Sequence, residues 1–190
     1  MSIVFTARLQ AAINFAAESH RGQNRKNENE TPYIAHPYSA MLILSEYTSD
    51  EDVYISMLLH DTVEDCGVSF EQIESMFGKR VRDIVYHVTE PKFFGTDSNP
   101  LTWKERKENY LALLEVGPSE SLLVATCDKI HNMSTMNNTL VHMGTFWFLD
   151  LVKEILDSRK SEIPSDLYDK FNTRLEYSKQ IFTDITKEKI

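Results

Sequence analysis

Tyr54-Ile55-Ser56-Met57-Leu58-Leu59-His60-Asp61-Thr62-Val63-Glu64-Asp65 is the stretch on which the reading of this chain turns. Its apolar run has helical length, and the preceding Ser49 before Asp50-Glu51-Asp52 is a plausible N-cap, so a helix is expected over 50–63. An apolar helix face that ends in an imidazole and carboxylates is poor core material unless something pairs with them. Residues four apart share a helix face, which stacks His60 over Glu64 and Asp61 over Asp65. Three crowded carboxylates then call for a cation or a raised pKa.

The flanking sequence continues as helices. Apolar spacing predicts them over 3–18, 36–47, 79–89, 102–114, 118–140, 146–158 and 165–186, with a short one opening at Ser69 and ending near Gly78. Two polar stretches, 20–32 and 91–100, carry the Gly, Asn and Pro content of loops. Strand-like alternation is scarce and no internal repeat or low-complexity linker appears. The expected fold class is all-α, a compact multi-helix domain over 1–190, with the motifs in about 5–140 and a helical tail over 141–190.

Composition excludes several classes. The 190 residues are 42% hydrophobic and 26% charged, an ordinary globular balance. A domain of this size buries about 70% of the surface its unfolded chain exposes, so no disulfide is needed for folding. With a net charge of -9 the surface repels nucleic-acid backbone, and neither DNA nor RNA is an expected partner. No apolar stretch approaches the roughly 20 residues of a membrane span. The opening Met1–Arg8 shows no basic segment followed by a long apolar run, so no secretory leader is expected. Cys66 and Cys127 form no CxxC pair and read as small free thiols, which fits a reducing cytoplasm.

Two further residues complete a metal set. His36 precedes Pro37 at the exit of the first loop, and Asp128 follows the apolar run Leu122–Cys127. Together with His60 and Asp61 they offer two imidazoles and two carboxylates. Such a nitrogen/oxygen set suits Mn²⁺, with Fe²⁺ or another divalent ion as alternatives, better than structural zinc with its usual thiolates. Asn132 and Thr135 lie on the face of Asp128 and can reach the same pocket.

The order of these residues, H…HD…D, resembles the HD phosphohydrolase superfamily. The narrower text resembles the RelA/SpoT hydrolase domain: His20-Arg21-Gly22-Gln23 with Arg25-Lys26, Pro32-Tyr33-Ile34-Ala35-His36-Pro37, HDxxED over 60–65, and Cys127-Asp128-Lys129-Ile130-His131-Asn132-Met133. No stretch is left for a synthetase domain, so the chain is similar to the stand-alone small alarmone hydrolases. The resemblance implies Mn²⁺-dependent removal of the 3′-pyrophosphate from guanosine alarmones, (p)ppGpp, to give GDP or GTP. It implies His36, His60, Asp61 and Asp128 as metal ligands, Glu64 and Asp65 as the catalytic pair, and Arg25, Lys26, Asn132 and Thr135 as substrate contacts.

Some features leave alternatives open. The segment 27–31 is longer and more acidic than the family's usual turn and borders the presumed base pocket, so adenosine alarmones such as ppApp stay open as substrates. A non-catalytic nucleotide-binding module is the rival from another class; it would normally have lost a ligand or the acidic pair. Lys129 stands where Arg is commoner, and Cys127 where Ala is usual. Lys104, Arg106 and Lys107 read either as a solvated helix face or as an anchor for 5′-phosphates. His20 and His131 are candidates to support the site, whereas His87 and His142 read as structural or exposed. Phe146, Trp147 and Phe148 read as core or as the contact of a homo-oligomer.

Overall fold

The computed structural model describes residues 3–26, 30–92, 100–136 and 143–187, with the side chains of 143 and 185–187 left aside. Ten α-helices are described: α1 Ala7–Ser19, α2 Ala35–Leu44, α3 Glu51–Leu59, α4 Thr62–Cys66, α5 Phe70–Phe77, α6 Lys79–Tyr86, α7 Trp103–Val116, α8 Ser119–Ser134, α9 Met143–Ser158 and α10 Ser165–Lys187. Among the described residues there is no strand. One isolated bridge, Asn24 to Pro32, folds the first loop back on itself. The all-α expectation holds. No helix among the described residues is long and apolar enough to cross a membrane.

Helix α3 is the centre. Every residue from Val53 to Leu59 is buried, as expected of a helix that is apolar on all sides. It packs against α1, α2, α6 and α8, while α8 also packs against α2 and α10. One contiguous apolar cluster runs from Leu9 in α1 to Leu175 in α10.

The helix boundaries depart from the sequence expectation where side chains compete for backbone groups. Thr6 Oγ1 accepts from Leu9 N and starts α1 at Ala7, leaving Val4 and Phe5 exposed ahead of it. Asp50, not Ser49, caps α3: its carboxylate accepts from Asp52 N at 3.0 Å. The continuous helix expected over 50–63 is interrupted at His60-Asp61. His60 Nδ1 takes the Met57 carbonyl at 2.8 Å and Thr62 Oγ1 takes that of Leu59 at 2.7 Å. These are the acceptors that the 61 and 63 amides would otherwise use. Helix α4 restarts with Asp65 N to Asp61 O at 2.9 Å and stops at Gly67, whose φ of 71° is the left-handed C-cap geometry that glycine adopts freely.

The chain over 79–89 is helical only to Tyr86, and 118–140 only to Ser134 with 137–140 outside the described residues. Residues 27–29 and 93–99 of the two loops, and His142, also lie outside them. Of the two readings left open for His87, structural or exposed, its contacts favour the first: Nδ1 bonds the Asp83 carbonyl, and a Cβ on Gly117 would lie 2.8 Å from the His87 Cβ. Phe146 and Phe148 are buried and Trp147 packs on Trp103 at 5.8 Å, so this aromatic set belongs to the core.

Candidate active site

Three elements converge on the interruption between α3 and α4. His36 enters from the first turn of α2, His60 and Asp61 sit at the interruption, and Asp128 faces them from α8. His36, His60 and Asp128 each offer one ligand atom, all within 4.8 Å of one another. Asp61 joins them, with Oδ2 at 3.5 Å from His36 Nε2 and 3.1 Å from His60 Nε2. Asp128 Oδ1 lies 3.0 and 3.6 Å from the same two nitrogens. The interruption of α3 helps to build this cluster, because it lets His60 and Asp61 present their side chains together.

The donor set is prepared for a cation. His60 Nδ1 is committed to the Met57 carbonyl, which leaves Nε2 as the free ligand atom. That Nε2 is buried and has no hydrogen-bond partner, since the nearby carboxylates lie outside bonding geometry. Burial opposes protonation of His36 and His60, yet Asp128 and Asp61 outweigh it and raise both pKa values. Burial likewise disfavours ionisation of Asp61 and Asp128; the charge of His60 holds the first, and that of Lys129 the second, well below the usual carboxylate range. A buried and a half-buried carboxylate that draw protons onto two imidazoles would be satisfied equally by a divalent ion.

A surrounding set of contacts fixes these groups. His36 Nδ1 lies 2.8 Å from His131 Nδ1. Burial, then the charges of His36 and Arg25, lower His131 to about 4, so it is neutral and its Nδ1 can accept the His36 proton. Tyr33 Oη donates to Asp61 Oδ2 at 2.7 Å, and its ring stacks on His20 at 4.7 Å. Lys129 is half-buried with Nζ 2.6 Å from Asp128 Oδ2, over the rings of Tyr110 and Phe148. His20 reaches the site through Gln23, whose Nε2 donates to the Asp65 carbonyl. Cys66 and Cys127 are both free, and Cys66 packs on His20 at 3.2 Å; burial and Asp65 push its thiol up to about 11.

Glu64 and Asp65 line a cavity of about 150 Å³ together with the metal set. Burial first, then Asp61, Glu90 and Asp65, push Glu64 up to about 7, with Lys107 opposing. Such a carboxyl can both take and return a proton near neutral pH. Lys92 caps α4 from the loop: Nζ donates to the Glu64 carbonyl and lies 3.4 Å from Asp65 Oδ1.

Arg25, Lys26, Asn132 and Thr135 come together in an adjoining cavity of about 560 Å³, which Tyr33, Glu64 and Asp65 also line. Asn132 joins the two cavities. It donates to Asp128 Oδ1 at 2.7 Å, while Arg25 reaches Asn132 Oδ1 at 3.4 Å and Thr135 Oγ1 at 3.2 Å. All ten expected site residues therefore line one or both of two cavities that share Tyr33, Glu64, Asp65 and Asn132. The basic cluster on α7 divides: Lys104 points outward to Glu108, whereas Arg106 and Lys107 turn in to Glu90.

Tyr33, Glu90, Lys92 and Lys129 had no expected role. Tyr33 carried a signal, since it lies three residues before His36 within one helical turn; Glu90 and Lys92 adjoin the second loop and had none. Tyr33→Phe is expected to weaken divalent-metal affinity about tenfold by freeing Asp61, as loss of outer partners generally does. Titration of the metal-stripped variant with Mn²⁺ measures this; unchanged affinity would mean that Tyr33 only packs.

Comparison with known proteins gives the same direction. An HD domain model matches residues 12–143. The guanosine-3′,5′-bis(diphosphate) 3′-pyrophosphohydrolase MESH1 of Danio rerio is 39% identical over 142 residues, covering 72% of this chain and 73% of that protein. The human MESH1 is 35% identical over 133 residues, covering 69% and 70%. Among solved structures, a metazoan SpoT orthologue described as hydrolysing ppGpp superposes with a TM-score of 0.78 at 27% identity, covering 93% of this chain and 98% of that one.

Proposed function

The chain belongs to the HD-domain family of MESH1-like hydrolases, and on that premise we propose that it removes the 3′-diphosphate of guanosine alarmones, (p)ppGpp, as pyrophosphate. The observation that carries this reading is the wall that the two cavities have in common. A metal-type donor set with an acid near neutral pKa shares Tyr33, Glu64, Asp65 and Asn132 with a larger recess lined by Arg25, Lys26 and Thr135. A nucleoside held in the larger recess presents its 3′-diphosphate to the smaller one. The continuous core supports reading the chain as one domain.

His36, His60, Asp61 and Asp128 would hold the ion, and Mn²⁺ suits this mixed nitrogen/oxygen set. When bound, a divalent ion acidifies water and polarises a phosphoryl oxygen. The protein's own groups supply the rest. Glu64 accepts the proton of the attacking water, and Asp65 beside it orients that water. The bond from phosphorus to the nucleoside 3′-oxygen breaks, the oxygen takes a proton, and pyrophosphate carries the oxygen of water. Arg25 lies over the Tyr33 ring and is placed to stack on a purine, while Lys26 contributes a point charge for phosphate. Asn132, tied to Asp128, couples nucleotide position to the ligand set.

The test is pyrophosphate release from ppGpp and from ppApp, by metal-stripped protein alone and reloaded with Mn²⁺, Fe²⁺ or Zn²⁺. Release that depends on Mn²⁺ and is faster with ppGpp is expected. Faster release from ppApp would move the substrate to the adenosine series. No release from either with any ion would contradict the proposed reaction.

A further inference from the structure

Resting on the hydrolase reading above, we propose that Lys107 is the docking cation for the 3′-diphosphate, held in reserve by Glu90 until the substrate's phosphates displace that carboxylate. The smaller cavity is crowded with acids, so a polyanion entering it needs a positive group there besides an ion. Among the described residues, the lysines and arginines that line it are Lys107 and Lys129. Lys129 is committed, because its Nζ lies 2.6 Å from Asp128 Oδ2 and moving it would take the cation off that oxygen of the donor set. Arg25 and Lys26 line the neighbouring recess instead.

Lys107 differs in each of these respects. Its partner Glu90 stands outside the donor set, and only 7% of that side chain is exposed. Glu90 also has a second cation: Arg106 Nε approaches Oε1 at 3.3 Å while Lys107 bonds Oε2. Lys107 can therefore swing to a phosphate without leaving a buried carboxylate unpaired, which would otherwise be costly. Its ammonium lies 4.6 Å from the centre of the Phe148 ring and 6.0 Å from that of Trp103. These rings wall in the lysine and limit the positions it can take. The ion pair thus serves as a stand-in for the substrate's own charge. This moves the α7 cluster from the 5′ to the 3′ end of the nucleotide.

The experiment is calorimetric binding of methylenediphosphonate, a non-hydrolysable pyrophosphate mimic, and of GDP to the Mn²⁺-loaded protein. Lys107→Met is expected to weaken the diphosphonate about 10- to 100-fold, the range for a lost charge-assisted hydrogen bond. Lys107→Arg should retain most of that affinity, and GDP, which has no 3′-phosphate, should bind all three proteins alike. Glu90→Gln, which releases the ammonium, should tighten the diphosphonate several-fold. Unchanged diphosphonate binding in Lys107→Met would overturn the proposal, as would an equal loss for GDP or a weaker diphosphonate in Glu90→Gln. Because this assay involves no turnover, its failure is separate from that of the hydrolase reading: Lys107-dependent binding without pyrophosphate release from ppGpp would leave the docking cation standing and remove the reaction.

Discussion

Glu64→Gln is expected to lower turnover by about 100- to 10,000-fold, the usual contribution of a general acid–base group. The same change should stabilise the metal-free protein at pH 8. Burial first, and then the charges of Asp61, Glu90 and Asp65, push the half-buried Glu64 to about 7 from an ordinary 4.5. A carboxyl whose folded pKa is raised favours folding below its unfolded value, and that advantage is lost as pH climbs through the folded one. At pH 8 the ionised side chain therefore costs the folded state up to about 3 kcal/mol, at 1.36 kcal/mol per tenfold change in proton affinity. Glutamine carries no charge and avoids that cost. The stability gain should fall below about 1 kcal/mol at pH 5, where the folded wild type is protonated. Urea unfolding of both proteins at the two pH values measures it. A gain of equal size at both would point to packing, and no gain at pH 8 would remove the electrostatic account of Glu64.

The second large effect is a loss of stability. Asp128→Asn should destabilise the protein by about 3–5 kcal/mol, the typical result of stranding one partner of a buried ion pair. Lys129 is the stranded group, half-buried with its ammonium over the rings of Tyr110 and Phe148. Adding Lys129→Met removes the orphaned ammonium while keeping an apolar stem, so the double variant should recover most of the lost stability. It should recover no turnover, because the carboxylate of the donor set is still missing. Denaturant titrations with an activity assay on the two variants separate these roles. If the single variant were as stable as wild type, Lys129 would not depend on Asp128 for its charge.

Much of this was legible in the sequence because it is local. The apolar run into His60-Asp61 announced both the central helix and the polar cluster at its end, and the four-residue spacing from Asp128 to Asn132 placed a bond now seen at 2.7 Å. The interruption between α3 and α4 was not legible. It arises when His60 and Thr62 take backbone carbonyls that a helix would use, and helical periodicity carries no trace of that competition. Glu90 and Lys107 were hidden for another reason. They are 17 residues apart, they meet only through the packing of α7 over the chain that follows α6, and a basic cluster at a helix start looks the same whether it is solvated or turned inward. Lys129 showed only as a substitution for a commoner Arg, although its ion pair with Asp128 makes it a fixed part of the electrostatics.

The most direct test of the central claim is the product stoichiometry of ppGpp with the Mn²⁺-loaded protein, followed by phosphorus NMR, with Glu64→Gln as the control. One pyrophosphate and one GDP per ppGpp, absent in the control, is the predicted result. Orthophosphate with a 3′-monophosphate nucleotide, or equal turnover in Glu64→Gln, would contradict it.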